Sequence, residues 1–152
     1  MPEGTQNSPK KEAGAGVAPT YLGLDIGTSA VKAVLIAADQ SILASETAPM
    51  EVSRPQPGWS EQDPDSWITA TRQAVAKVKA ARPEALSRLL GIGLSGHMHG
   101  ATLIGSDHKP LRPCILWNDG RSAQECVELE AKADFRGHGR LYRAQTGLGC
   151  QA

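Results

Sequence analysis

An aspartate set inside an apolar strand is the first residue whose position suggests chemistry. Leu24-Asp25-Ile26-Gly27-Thr28-Ser29-Ala30-Val31-Lys32 places a carboxylate just before a Gly-Thr-Ser bend, with an amine beyond it. A carboxylate is costly to bury unless something cationic uses it. The bend offers backbone N–H groups, two hydroxyls and the Lys32 amine, all suited to anionic oxygens. Together Gly27, Thr28 and Lys32 resemble a phosphate hairpin, with Asp25 as a carboxylate to hold Mg2+ directly or through water. The alternative is an aspartate capping its own hairpin, with Lys32 as a surface charge. The Walker spacing G-x-x-x-x-G-K-[ST] is absent.

A second group is Ser95-Gly96-His97-Met98-His99-Gly100, at the end of the short apolar run Leu89–Leu94. Ligands of open α/β sheets bind beyond the carboxyl ends of strands, and flanking glycines let backbone approach them. His99 can hydrogen-bond a hydroxyl and Met98 can pack on a carbon skeleton. The alternatives are two core-supporting histidines, or a zinc site from His97 and His99 that has no third ligand nearby in sequence. A third group, Leu116-Trp117-Asn118-Asp119-Gly120-Arg121, reads by itself as an ordinary turn with Trp117 in the core.

The elements that must position these groups follow from periodicity. Leu22, Leu24 and Ile26 alternate with Gly23 and Asp25 as in a strand. Val31–Ala37 and Ser41–Thr47 extend it into a three-strand antiparallel meander. Asp63 caps a helix with Pro64 at its first position, and Pro83 ends it. Its inner face is expected to be Trp67, Ile68, Thr71, Ala74, Val75 and Val78. Leu89–Leu94 reads as a buried parallel strand, Ala101–Ile104 and Cys114–Trp117 as two further strands around a turn at 107–110. Ser122, with Glu125, opens a second helix to about Lys132. The order gives an α/β layer on a mixed sheet.

The 152 residues carry no net charge and only 4% aromatic residues. With no basic stripe or interleaved aromatics, nucleic acid is not expected as a partner. No segment reaches the roughly 18 apolar residues a bilayer crossing needs, so no membrane partner and a cytoplasmic location are expected. Residues 1–19, rich in Gly, Pro, Ala and charge, read as a disordered leader and not a signal peptide. Cys114, Cys126 and Cys150 are an odd set without close spacing, read as free thiols.

Tyr21-Leu22-Gly23-Leu24-Asp25-Ile26-Gly27-Thr28-Ser29, with Val31-Lys32, resembles the opening of the FGGY carbohydrate kinases. Ser53-Arg54-Pro55 and Gly58-Trp59-Ser60-Glu61-Gln62-Asp63-Pro64 fit the same family. Met98-His99-Gly100-Ala101, Leu111-Arg112-Pro113 and Ile115-Leu116-Trp117-Asn118-Asp119-Gly120-Arg121 are similar to its xylulokinase branch. The resemblance implies a ribonuclease-H-like, actin-like ATPase fold, present as an incomplete N-terminal domain over 20–132. It implies phosphorylation of D-xylulose or a related ketose with ATP and Mg2+, Asp25 being activity-critical and metal-associated. By the same resemblance Met98 and His99 contact the sugar, and Gly27, Thr28 and Lys32 form the phosphate hairpin. His97 stands where many members have glutamine. A ribulokinase, or a sugar-binding remnant without catalysis, is the alternative.

Residues 133–152 lack periodicity and read as an aberrant tail. Codons for Arg140–Gly147 can be chosen that, read one base later, encode Gly-Phe-Thr-Ala-Pro-Lys-Leu, a stretch like that of family members. A frameshift between about Ala133 and Arg140 is therefore expected. By the same resemblance, the family's later general-base aspartate and the adenosine pocket of a second domain are not expected within these residues. The chain is accordingly expected to be a truncated, inactive piece of the parent enzyme.

Overall fold

The computed structural model describes residues 18–132. Most of the expected leader, all of the expected tail, and Cys150 lie outside the described residues. Strands β1 (Thr20–Ile26), β2 (Ala30–Ala37) and β3 (Ile42–Pro49) form the expected antiparallel meander. Helix α1 (Pro64–Ala81) and the short α2 (Pro83–Leu86) lead to β5 (Leu89–Gly96), which pairs parallel with β1. The sheet order is β3-β2-β1-β5. The two-residue strand β4 (Glu61–Gln62) pairs antiparallel with β6 (Cys114–Ile115), and α3 (Ala123–Lys132) follows.

One face of this mixed sheet makes the core. Leu22 and Leu24 of β1, with Val31, Ala33 and Leu35 of β2, point toward Ala70, Ala74 and Val78 of α1. Alternation puts every second strand residue on this face, and small alanines let the helix lie close. Asp63 caps α1 by accepting from Asp65 N–H at 3.0 Å, as its position before Pro64 predicts. Lys77 Nζ donates to Thr47 O at 2.6 Å and Arg82 Nε to Leu43 O at 3.1 Å, so α1 ties down the outer strand of the meander.

The structure corrects several expectations. Ile68 is 55% exposed, and Ala70 takes its place on the buried stripe. Residue 68 lies one position off the 3-4 spacing set by Trp67, Ala70, Thr71, Ala74 and Val78. The 101–117 hairpin exists, with Ala101 bridging Ile115 and Ile104 bridging Pro110, but its only regular strand is β6. Cys114 and Ile115 also pair with Gln62 and Glu61, more than fifty residues earlier.

Strand β5 is less covered than its apolar run predicts. Ile92 and Leu94 stand in register with the buried Leu22 and Leu24, yet α1 lies over β2 and β3. Ile92 and Leu94 are exposed on the same side of the sheet as the helix, and Leu90, at the register shift between Leu89 and Gly91, is exposed as well. No helix among the described residues is long and apolar enough to cross a membrane.

Candidate functional site

The face of the sheet turned away from α1 carries the first group. Leu22 and Leu24 point inward, so Asp25 points outward and is exposed, which corrects the premise of a buried carboxylate. Cross-strand register sets it beside Lys32 on β2 and Ser95 on β5. With Gly23, Val34 and Gly93 these residues line a depression of about 320 Å3, where the missing glycine side chains leave room. Neither Asp25 nor Lys32 belongs to an ion pair among the described residues.

The hairpin that follows is tight. Gly27 N–H donates to Ala30 O at 3.1 Å, and a Cβ at Gly27 would stand equally close to that oxygen. Ser29 O accepts from Met50 N–H at 2.8 Å, tying the bend to the end of β3. An exposed carboxylate, an amine and the Thr28 hydroxyl thus share one strand end. These donors suit a polyphosphate with its metal better than a protein-enclosed metal. Among the described residues no group of three His, Cys, Asp or Glu side chains could hold a metal ion.

The second group begins where β5 ends. His97 N–H donates to Ile26 O at 3.0 Å, strapping the 97–100 loop to the strand that carries Asp25. Met98 and His99 are exposed, and His99 has φ 65°, a left-handed conformation. Gly100 is fixed by contact: a Cβ there would lie 2.8 Å from the buried Cys114 Sγ. His97 behaves differently from its neighbours. Its ring meets Trp67 edge-on at 5.2 Å, and its buried Nδ1 has no hydrogen-bond partner among the described residues.

The third group is not only a turn. Trp117 is 54% exposed, not core, and its indole N–H makes a long 3.4 Å contact with Thr28 Oγ1. Asp119 is a clasp: it accepts from Ser60 N–H at 2.6 Å and from Arg121 Nε and NH2 at 2.8 and 2.7 Å. Arg121 also bonds Glu61 at 2.7 Å and lies 3.8 Å over the Trp59 ring, while Arg112 pairs with the same Glu61 carboxylate. Sequence reading missed this network, because Glu61 and Arg121 become neighbours only through the β4–β6 pair.

Hydrogen bonds from the Arg121 side chain, then those from Ser60 N–H and Arg121 N–H, hold the Asp119 carboxyl at about 2 against partial desolvation. Its unfolded value is higher, so the stabilisation is complete above about pH 4 and is lost as pH falls toward 2. The Asp119 side chain is 1% exposed and the Arg121 side chain 13%, so solvent screens the pair little and the loss is expected to be about 2 kcal/mol. Urea unfolding midpoints across that window measure it, and an Asp119→Asn variant should show a flatter acid limb.

Residues 20–152 match the N-terminal domain of the FGGY family of carbohydrate kinases. The chain belongs to this family. This FGGY chain is 49% identical over 112 residues to the xylulose kinase of Klebsiella pneumoniae and 46% over 112 residues to that of Escherichia coli K12. Each alignment covers 74% of this chain and 23% of the relative. Among solved structures, the xyloylose kinase of Brucella ovis superposes with a TM-score of 0.73 at 55% identity, over 77% of this chain and 25% of that one. The xylulose kinase of Rhodospirillum rubrum gives 0.73 at 34% identity, over 77% and 24%. The FGGY chain thus spans about a quarter of the length of these relatives, and its mixed sheet with flanking helices has the actin-like ATPase fold of FGGY kinases.

Proposed function

We propose that a polypeptide of the relatives' full length carrying these residues phosphorylates D-xylulose, or a closely related ketose, with ATP and Mg2+ in the cytoplasm. The observation that supports this most is the His97–Ile26 strap, which brings the Asp25 hairpin and the Met98–His99 loop to one end of the sheet. The high identity to xylulose kinases supports the choice of sugar.

Asp25 would hold the metal, directly or through water, because Mg2+ takes one or two carboxylates and completes its shell with water and phosphate. Lys32 and the Thr28 hydroxyl would face phosphate oxygens. When bound, Mg2+ and ATP supply the transferable phosphoryl group and neutralise its charge. His99 would orient the attacking hydroxyl through a hydrogen bond, and Met98 would pack along the carbon chain. Trp117, exposed beside Thr28, adds an apolar wall between the two halves. His97 faces Trp67, so its departure from glutamine alters the support of the loop and not the sugar contact.

Asp25 is the one carboxylate lining the depression among the described residues. Committed to the metal, it does not also serve as base for the sugar hydroxyl. The 152-residue chain alone is therefore expected to stay near background in a coupled ADP-release assay. Grafted in place of the matching 112 residues of the Klebsiella enzyme, it is expected to turn over D-xylulose in preference to D-ribulose. Preference for D-ribulose would move the assignment to a ribulokinase. A folded graft inactive on every ketose would remove it.

A further inference from the structure

We propose that Gln62 is the positioning residue that registers the phosphate hairpin against the 97–100 loop, acting through Trp67. The inference rests on the reading above, in which these two segments are the halves of one site.

Gln62 is 1% exposed, an unusual state for an amide side chain in a two-residue strand. Every polar atom of its side chain has a partner. Nε2 donates to Thr28 O and to Glu51 O, both at 2.9 Å. Oε1 accepts from Trp67 Nε1 at 2.7 Å. The two carbonyls only accept and the indole N–H only donates, so the amide has a single workable orientation. One side chain therefore grips the hairpin at Thr28, the chain leaving β3 at Glu51, and the first turn of α1 at Trp67.

Gln62 and Trp67 flank the Asp63 cap at the positions where a hydrophobic staple normally closes a helix start. Here a hydrogen bond closes it, and the bond has a direction that an apolar contact lacks. It fixes the indole plane, and the indole meets the His97 ring edge-on at 5.2 Å. His97 N–H returns to Ile26 O at 3.0 Å, which completes a circuit from Thr28 through Gln62, Trp67 and His97 to the strand before the hairpin. Met98 and His99 hang from this circuit and touch none of its other members through an assigned hydrogen bond. A shift of Gln62 would move both halves relative to each other without altering a proposed ligand contact.

Amide hydrogen exchange on the 152-residue chain tests the circuit directly. Gln62→Leu is expected to speed exchange about tenfold or more at both Met50 N–H and His97 N–H, with central amides of β2 and α1 changed by less than about threefold. Trp67→Phe keeps a ring against His97 and removes only the indole donor. It should speed exchange at the same two amides by a smaller factor, and it serves where Gln62→Leu fails to fold. Unchanged exchange at His97 in the folded variants would overturn the proposal. In the grafted kinase, Gln62→Leu should lower kcat about tenfold or more with KM for D-xylulose within about threefold, the pattern of lost alignment. Unchanged kcat would also overturn it. A graft inactive with Gln62 intact counts against the kinase reading, and the exchange data then decide on Gln62 alone.

Discussion

Asp25→Asn is expected to lower turnover of the grafted kinase on the order of a thousandfold, with no measurable loss of fold. The size follows from the role proposed for the carboxylate. Charge stabilisation aimed at a transferring phosphoryl group has little to replace it once removed, and single groups of this kind are worth about 100-fold to 1,000-fold or more. Asparagine keeps the shape and loses the charge that holds the metal. The lack of a folding effect follows from the geometry. Asp25 is exposed on the sheet face away from α1 and pairs with no cation among the described residues. Surface changes of this kind stay within about 0.5 kcal/mol. Steady-state ADP release over a Mg2+ titration, with thermal melts of both proteins, makes the measurement. Turnover within about tenfold of the unaltered graft would show that Asp25 caps its hairpin and does no chemistry.

Asp119→Ala is expected to act oppositely, on stability first. Its carboxylate is 1% exposed and gathers the Ser60 N–H, the Arg121 N–H and two guanidinium nitrogens of Arg121. Removing it leaves those donors without their acceptor beside Glu61 and Trp59, at a cost of about 2–3 kcal/mol. That is a large share of the roughly 5–15 kcal/mol by which a domain is stable. Urea denaturation of the 152-residue chain reads it as a lower midpoint at an unchanged slope. A loss below about 0.5 kcal/mol would mean that solvent replaces the clasp freely. Trp117 lies two residues before Asp119, so the variant should also loosen the indole from Thr28.

The parts of the fold legible in the sequence are those with local causes. The alternation of Leu22 and Leu24, the Asp63-Pro64 start of α1 and the stop at Pro83 each depend on neighbours in the chain, and each stands where its residues predict. The Asp25 hairpin and the 97–100 loop stood out in the sequence because unusual residue types interrupt apolar runs, and the structure brings the two segments to one end of the sheet. What stayed hidden depends on distant partners. Gln62 sits in a polar stretch with no period, and only the pairing of β4 with β6 makes it a buried hub. Trp117 read as core because tryptophan is apolar, whereas its position in the turn after β6 sets it beside Thr28. Ile68 read as inward by hydrophobicity, while helical geometry gave that place to a smaller alanine.

The left-handed backbone at His99 bears on how this chain could be re-engineered. Any residue with a Cβ gives up about 1–2 kcal/mol there relative to an ordinary conformation, and branched side chains give up most. A library randomised at that codon is therefore filtered for backbone tolerance before it is filtered for sugar. Under the sugar contacts proposed for residues 98 and 99, glycine, asparagine and aspartate at 99 are expected to survive more often than their contacts justify, so a selection should vary the flanking Met98 and hold residue 99 constant.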